Sequence, residues 1–206
     1  MIDKTVKVIA SSSKGNAMLY YDSILVDCGV PYSTIKPYIK KIGIVLLTHE
    51  HGDHFNLATL KRMQQERPSL RIACCDHLSE QVKELRNVDI LRFGEYTNYR
   101  SFAVCPIKLY HDVPNVGFRI QTGFGSIIHA TDTSSLDGIE AKGYDYFCIE
   151  SNYDEETIHE TIKDKQYKGL FCHEIGKINS HLSEQQCISF FNKNKHSKSQ
   201  LIRLHQ

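Results

Sequence analysis

The stretch that constrains this chain most is residues 42–55, Ile-Gly-Ile-Val-Leu-Leu-Thr-His-Glu-His-Gly-Asp-His-Phe. Five strand-forming residues (Ile42, Ile44, Val45, Leu46, Leu47) run straight into His49, His51, Asp53 and His54. A short continuous apolar run bounded by a polar cluster reads as a buried strand. The four polar side chains then fall at its carboxyl end, where loops carry function on a rigid scaffold. His49 and His51 are two apart, so an extended backbone turns both imidazoles to one side. Gly52 permits a turn that carries Asp53 and His54 toward a second point. Three imidazoles and a carboxylate are ligands for zinc or a similar divalent ion, and the split suits two adjacent ions better than one. The competing reading, a solvated loop rich in histidine by accident, has no need of a buried strand feeding it.

At 206 residues the chain is long enough for one domain with a sizeable core. A formal net charge of +1 gives no global electrostatic case for nucleic acid. Residues 1–4 have no apolar leader character, and no apolar run approaches membrane-spanning length. A cytoplasmic protein with no membrane partner is expected. The seven cysteines (Cys28, Cys74, Cys75, Cys105, Cys148, Cys172, Cys187) form no Cys-x-x-Cys pair, and read as reduced thiols in apolar surroundings.

Along the first half, strands are expected over 4–10, 17–21, 23–26, 70–74 and 88–93, with turn chemistry at 11–16. Helices are expected over 32–41, 57–65 and 78–85, the last with Asp76 as a cap and His77 facing solvent. Strands interleaved with helices argue for an α/β arrangement. In the second half, strands are expected over 101–109, 116–122, 126–129, 144–149 and 199–204, with helices over 154–165 and from a Ser183 cap to about residue 193. Polar residues recur at strand ends: Asp27, His111, Asp132, Glu150 and His205. His129 lies within a strand and reads as structural, while His159 reads as a solvent-facing helix residue.

His49-Glu50-His51-Gly52-Asp53-His54 resembles the signature loop of the metallo-β-lactamase superfamily. Asp27-Cys28-Gly29, His111-Asp112 ahead of Val116-Gly117-Phe118-Arg119, and Thr131-Asp132-Thr133 then follow that family's remaining motifs in order. The resemblance implies an α/β sandwich of four αββα layers, with two mixed sheets face to face and helices outside, as a single domain over 1–206. It implies His49, His51 and His111 on one ion, Asp53, His54 and His205 on another, and Asp132 shared. Two Zn2+ ions are expected, with Mn2+ or Mg2+ as alternatives. Asp27 supports the metal loop from behind, and Glu150 is a second carboxylate outside the ligand set. Family relatives use a Gly/Ser-His motif before a helix as a phosphate contact or proton donor, which His181 matches. His205 matches the last ligand, and the choice between His181 and His205 stays open.

Two such ions lower the pKa of a bridging water and clamp the attacking and leaving oxygens, so a metal-bridging hydroxide is the expected nucleophile. Asp53 and His181 are the expected catalytic residues. No cysteine stands at a ligand position, which favours phosphodiester hydrolysis over β-lactam opening. The motifs, with Ser11-Ser12-Ser13-Lys14-Gly15-Asn16 and Glu150-Ser151-Asn152-Tyr153-Asp154, look like the YycJ/WalJ-type branch, whose members are regarded as DNA exonucleases. The chain departs from that branch at Ser12, where a glycine is usual, in a short segment between Asp154 and His181, and in ending at His205-Gln206. A phosphodiester substrate is expected, a nucleic acid with DNA favoured. The alternative is a small-molecule hydrolase (cyclic phosphodiesterase, lactonase or thioesterase) on the same residues. Lys163, Lys165, Lys168, Lys177, Lys193, Lys195 and Lys198 would serve phosphate contacts, or form a solvated face.

Overall fold

β-Branched and aliphatic runs build two mixed six-stranded sheets, one in each of two compact units, Met1–Phe93 and Gly94–Gln206. The computed structural model describes residues 6–205. Residues 4 and 5 of the first expected strand, the leader region at 1–4 and the terminal Gln206 lie outside the described residues.

In the first unit the strands follow chain order: β1 (Val6–Ser12), β2 (Gly15–Tyr20), β3 (Ile24–Val26), β4 (Ile44–Leu46), β5 (Arg71–Cys75) and β6 (Val88–Leu91). β1, β2 and β3 pair antiparallel, and β3 to β6 pair parallel. Ser12 pairs with Gly15, so much of the expected loop at 11–16 is strand. Tyr21 and Asp22 turn the second hairpin with φ of 49° and 58°, the left-handed pair that matches strand twist. β3 and β4 are buried along their whole length, as parallel strands covered on both faces must be.

Helix α1 (Tyr32–Ile35) is shorter than the expected span of 32–41. Pro37 lacks an N–H and disfavours helix at the residue before it, so residues 36–41 form turns. Helix α2 (Leu57–Glu66) starts where the Asn56 side chain accepts the Thr59 N–H at 3.0 Å. A 3-10 turn at Asp76–Leu78 and a single helical turn α3 (Ser79–Val82) replace the helix expected over 78–85; Asp76 lies inside the turn and makes no side-chain capping bond. Leu60 and Met63 of α2 pack with Leu25, Val45, Leu47 and Ile72, all fully buried. Each such side chain contributes roughly 1.5–3 kcal/mol relative to exposure. The parallel pairing sets the carboxyl ends of β3, β4 and β5 side by side: Asp27 N–H donates to Leu46 O at 2.9 Å and Leu47 N–H to Ala73 O at 2.9 Å.

The second unit orders its strands β12-β11-β10-β9-β8-β7, where β7 is Thr97–Asn98, β8 Phe102–Leu109, β9 Asn115–Thr122, β10 Gly125–Ala130, β11 Tyr146–Glu150 and β12 Gln200–Leu204. β7 to β10 form an antiparallel meander, and β10, β11 and β12 run parallel. The carboxyl ends of β8, β10, β11 and β12 therefore share one edge, which is the edge where ligands bind in open α/β sheets. Asp154 caps α4 (Glu155–Tyr167), and Ser183 with Gln186 forms a reciprocal capping box on α6 (Glu184–Asn194). Helix α5 (His173–Ser180) is not foreseen in the sequence, because it buries no residue and carries Gly176 mid-helix. Phe147, Ile149, Leu182 and Cys187 centre this unit's core, with Phe191 edge-on to Phe147 at 5.2 Å.

Six of the seven cysteines are buried free thiols, and burial pushes Cys74 and Cys187 up to about 12. Among the described residues no helix is long and apolar enough to cross a membrane.

Candidate metal centre

Asp27 leaves β3 as the metal-loop segment leaves β4, and the two meet at once. The buried Asp27 carboxylate accepts the Thr48 N–H at 2.9 Å, the Thr48 hydroxyl at 2.9 Å and Nδ1 of His54 at 2.6 Å. Having donated its proton to Asp27, the Thr48 hydroxyl can only accept from Nδ1 of His49, 3.0 Å away. Both imidazoles thus carry their proton on Nδ1 and keep the Nε2 lone pair for a cation. The His49 ring lies 4.8 Å from that of His51 and 4.2 Å from that of His54, and Oδ2 of Asp53 lies 3.6 Å from Nε2 of His54. The four donors of the signature loop are gathered.

The turn between them is helical, closed by His54 N–H and Phe55 N–H on His51 O at 2.9 and 2.8 Å. Gly52 is outside the left-handed region and a Cβ there would meet nothing within 4 Å, so its expected role in the turn is corrected. The glycine the loop requires is Gly29, where a Cβ would stand 1.8 Å from the Asp53 carbonyl oxygen. Nδ2 of Asn16 lies 2.7 Å from Nε2 of His54 and 3.3 Å from Oδ2 of Asp53. It sets an N–H donor where that lone pair points, and the Ser12 and Asp53 carbonyls accept from the same amide at 3.1 and 3.3 Å.

In the second unit, Asp132, Glu150, His181 and His205 each offer a donor atom within 4.8 Å of the others. They follow or end β10, β11, α5 and β12. Glu150, fully buried, takes Nδ1 of His181 on Oε1 at 2.5 Å, and the Thr133 and Leu182 N–H groups on Oε2 at 2.8 and 3.3 Å. Burial works against the charged form of His181, but the Glu150 hydrogen bond and the charges of Glu150 and Asp132 outweigh it and raise its pKa. Nε2 of His205 lies 3.7 Å from Oδ1 of Asp132, while Nδ1 of His205 meets Nδ2 of Asn152 at 2.7 Å. The His181 and His205 rings stack at 5.3 Å, and the His111 ring lies 5.3 Å from that of His181. His111 Nδ1 donates to Ser180 O at 3.0 Å. His129 is buried within β10, and His159 is exposed on α4.

Residues 23–202 match the model of a family described as a beta-lactamase superfamily domain. The chain belongs to the metallo-β-lactamase superfamily. Its fold is the metallo-β-lactamase α/β sandwich of two mixed sheets with helices, as the sequence led us to expect. The metallo-β-lactamase fold protein YhfI from Bacillus subtilis is 20% identical over 97% of this chain and 84% of its own, with a TM-score of 0.73. The short form of human tRNase Z is 15% identical over 97% and 92%, with a TM-score of 0.72. A diphosphatase from the PhnP family is 16% identical over 97% and 85%, with a TM-score of 0.65. At these identities the likeness is one of fold. Comparison with curated proteins gave no match.

The donors suit the divalent ions of a metallo-β-lactamase fold. Metal-ligating histidines are held through their second nitrogen, and here Nδ1 donates in His49 to Thr48, in His54 to Asp27 and in His111 to Ser180. Three supporting residues escaped the sequence reading. His77, expected to face solvent, donates from Nε2 to the Thr48 carbonyl at 3.0 Å. Thr48 itself links Asp27 to His49. Asn115, buried at the start of β9, donates from Nδ2 to the carbonyls of Thr131 and Asp132 at 2.9 and 2.6 Å. The only sequence signal for Asn115 is its nearness to His111; the partners are 16 and 17 residues away.

Proposed function

We propose that this chain is a dinuclear metal-dependent phosphodiesterase acting on nucleic acid, a cytoplasmic DNA exonuclease-like enzyme of the YycJ/WalJ-type branch, working as one domain over 1–206. In this reading His49, His51 and His111 hold one ion, Asp53, His54 and His205 the other, and Asp132 serves both. Bound there, two divalent ions, zinc by the nature of the donors, supply Lewis acidity and a water of low pKa.

One observation carries the division of labour between the two late histidines. His205 presents Nε2 to Asp132, whereas His181 turns Nδ1 toward Asp132 (3.6 Å) and Glu150. His205 is accordingly the ligand, and Nε2 of His181 is the atom for substrate. Glu150 fixes the His181 ring, so a proton on Nε2 is positioned for the leaving oxygen of a phosphodiester. Asp27 and Thr48 fix the tautomers of His54 and His49. Two proteins of this fold bear names that point to related chemistry, a tRNase and a diphosphatase.

A small-molecule hydrolase on the same residues is favoured by one feature. Lys165 and Lys168 of the lysine-rich stretch are paired with Glu174 and Asp164 at 2.5 and 2.7 Å, which reduces the charge available to a polynucleotide. Protein loaded with zinc, manganese or magnesium is to be incubated with end-labelled DNA and RNA and with bis(p-nitrophenyl) phosphate. We expect nucleotide release from DNA, about two ions per chain, and loss of both activity and metal in His51→Ala. Turnover of the chromogenic diester alone selects the small-molecule reading, and no turnover of any phosphodiester with any metal refutes both phosphodiesterase versions.

A further inference from the structure

The second unit holds a cavity of about 420 Å³ between the 135–139 loop and α6, within the size range of small-molecule sites. Its apolar wall is Leu136, Ile139, Leu182 and Phe190, and Phe190 is braced edge-on against Phe147 at 6.3 Å. Its polar lining includes Ser189 and Gln185, the Gln185 amide being held by the Glu155 N–H and the Asp154 carboxylate. Its charged lining residues are Asp137, Glu155 and one cation, Lys193, with Glu155 accepting the Ser183 hydroxyl at 2.6 Å. Two carboxylates against one ammonium disfavour a phosphate here. They suit an uncharged ligand with an apolar face and hydrogen-bonding edges, which is the chemistry of a nucleobase.

The cavity is tied to the proposed proton donor. The Ser135 carbonyl accepts the Thr133 hydroxyl at 2.8 Å, and Thr133 N–H donates to Oε2 of Glu150 at 2.8 Å. Leu182 N–H donates to that same oxygen at 3.3 Å, and the other oxygen of Glu150 holds His181. Two walls of the cavity therefore hang on the carboxylate that orients His181. We infer that this cavity is a nucleoside subsite, taking the uncharged base and sugar of the nucleotide whose phosphodiester lies at His181. This rests on the phosphodiesterase reading for the identity of the substrate, and on the cavity alone for the binding.

The test is calorimetric titration of the zinc-loaded protein with thymidine, with deoxyadenosine and with inorganic phosphate. Ser189→Trp on α6 and Asp137→Trp on the opposite loop fill the cavity from either side; both positions are exposed and stand outside the metal and proton-transfer machinery. At least one nucleoside is expected to bind, and each variant to weaken it about tenfold or more, or about 1.4 kcal/mol. Phosphate binding and hydrolysis of methyl p-nitrophenyl phosphate are expected to be unchanged. No nucleoside binding to the wild type, or unchanged binding in both variants, overturns the subsite. Nucleoside binding that the variants abolish, in a protein that cleaves no phosphodiester, upholds the subsite and sinks the phosphodiesterase reading instead.

Discussion

Replacing Asp27 by asparagine separates what its carboxylate does for the fold from what it does for metal. Asp27 serves three donors, the Thr48 N–H, the Thr48 hydroxyl and Nδ1 of His54. Its φ of 61° is one that asparagine also tolerates, so Asp27→Asn adds little backbone strain. The amide oxygen can keep both Thr48 contacts on the Oδ1 side. The NH2 group then faces Nδ1 of His54 and forces that nitrogen to accept. The His54 proton moves to Nε2, the atom proposed to bind metal. Exchanging one charge-assisted hydrogen bond for a neutral one costs about 1–2 kcal/mol of stability. Losing the right tautomer costs about 10–100-fold in metal affinity. Asp27→Ala, by contrast, strands all three donors and costs about 3–5 kcal/mol. Zinc affinity by competition with a chelating dye, beside urea unfolding of the metal-free protein, reads the two effects apart. Zinc affinity of Asp27→Asn within twofold of wild type would refute the tautomer argument, whatever the stability does.

Asn115→Leu keeps the side-chain shape but strands the carbonyls of Thr131 and Asp132; we expect about 2–4 kcal/mol lost in urea unfolding and reduced metal content in the remaining folded protein. Unaltered metal content would show that Asn115 does not position Asp132. Asp145 joins β10 to β11 by accepting the Ser126 N–H at 2.8 Å and hydroxyl at 3.0 Å, and the Ser126 N–H holds its pKa below the ordinary 3.8, with His196 adding to the effect. A depressed carboxyl contributes stability above its unfolded value and loses it as pH falls through the folded value. With the side chain 41% exposed, about 1 kcal/mol is expected, lost below about pH 4 in wild type and absent in Asp145→Asn; parallel acid unfolding curves for the two proteins would contradict this.

Much of the candidate centre was legible because its donors are punctuation. His49, His111, Asp132, Glu150 and His205 each close or follow an apolar run, and parallel pairing lines up the ends of β10, β11 and β12 in the second unit and, separately, those of β3 and β4 in the first. What holds the donors was not legible. His77 and Thr48 are 29 residues apart, and Asn16 and Asp53 are 37 apart, so neither contact has a periodicity to betray it. Gly52 lies inside the motif, yet nothing around it requires a glycine. Gly29, which the passing Asp53 backbone requires, lies outside it and shows its purpose only when the two segments meet. Helix α5 hid because it is short and buries no residue: only Ile175 and Ile178 stand at helical spacing, with Gly176 between them, too brief a pattern when hydrophobic period is the main helical signal.

The strain at these strand ends has a physical logic that the residue types alone do not express. Asp27, Asp132 and His205 adopt φ of 61°, 52° and 52°, immediately after β3, two residues after β10 and immediately after β12. At Asp27 and His205 the left-handed residue directly follows the strand and swings its own side chain off the pleat, so termination and donor placement are one event there, while Asp132 makes the same turn two residues on. Such conformations cost on the order of 1 kcal/mol or more and persist only where the surroundings over-determine them. Here they do: Asp27 is fixed by Thr48 and His54, the Asp132 carbonyl by Asn115, and the His205 ring by Asn152. Glycine would relax each backbone and remove the donor with it. The hydrogen bonds around the centre are therefore what allow a carboxylate or an imidazole to occupy positions the backbone would otherwise reserve for glycine.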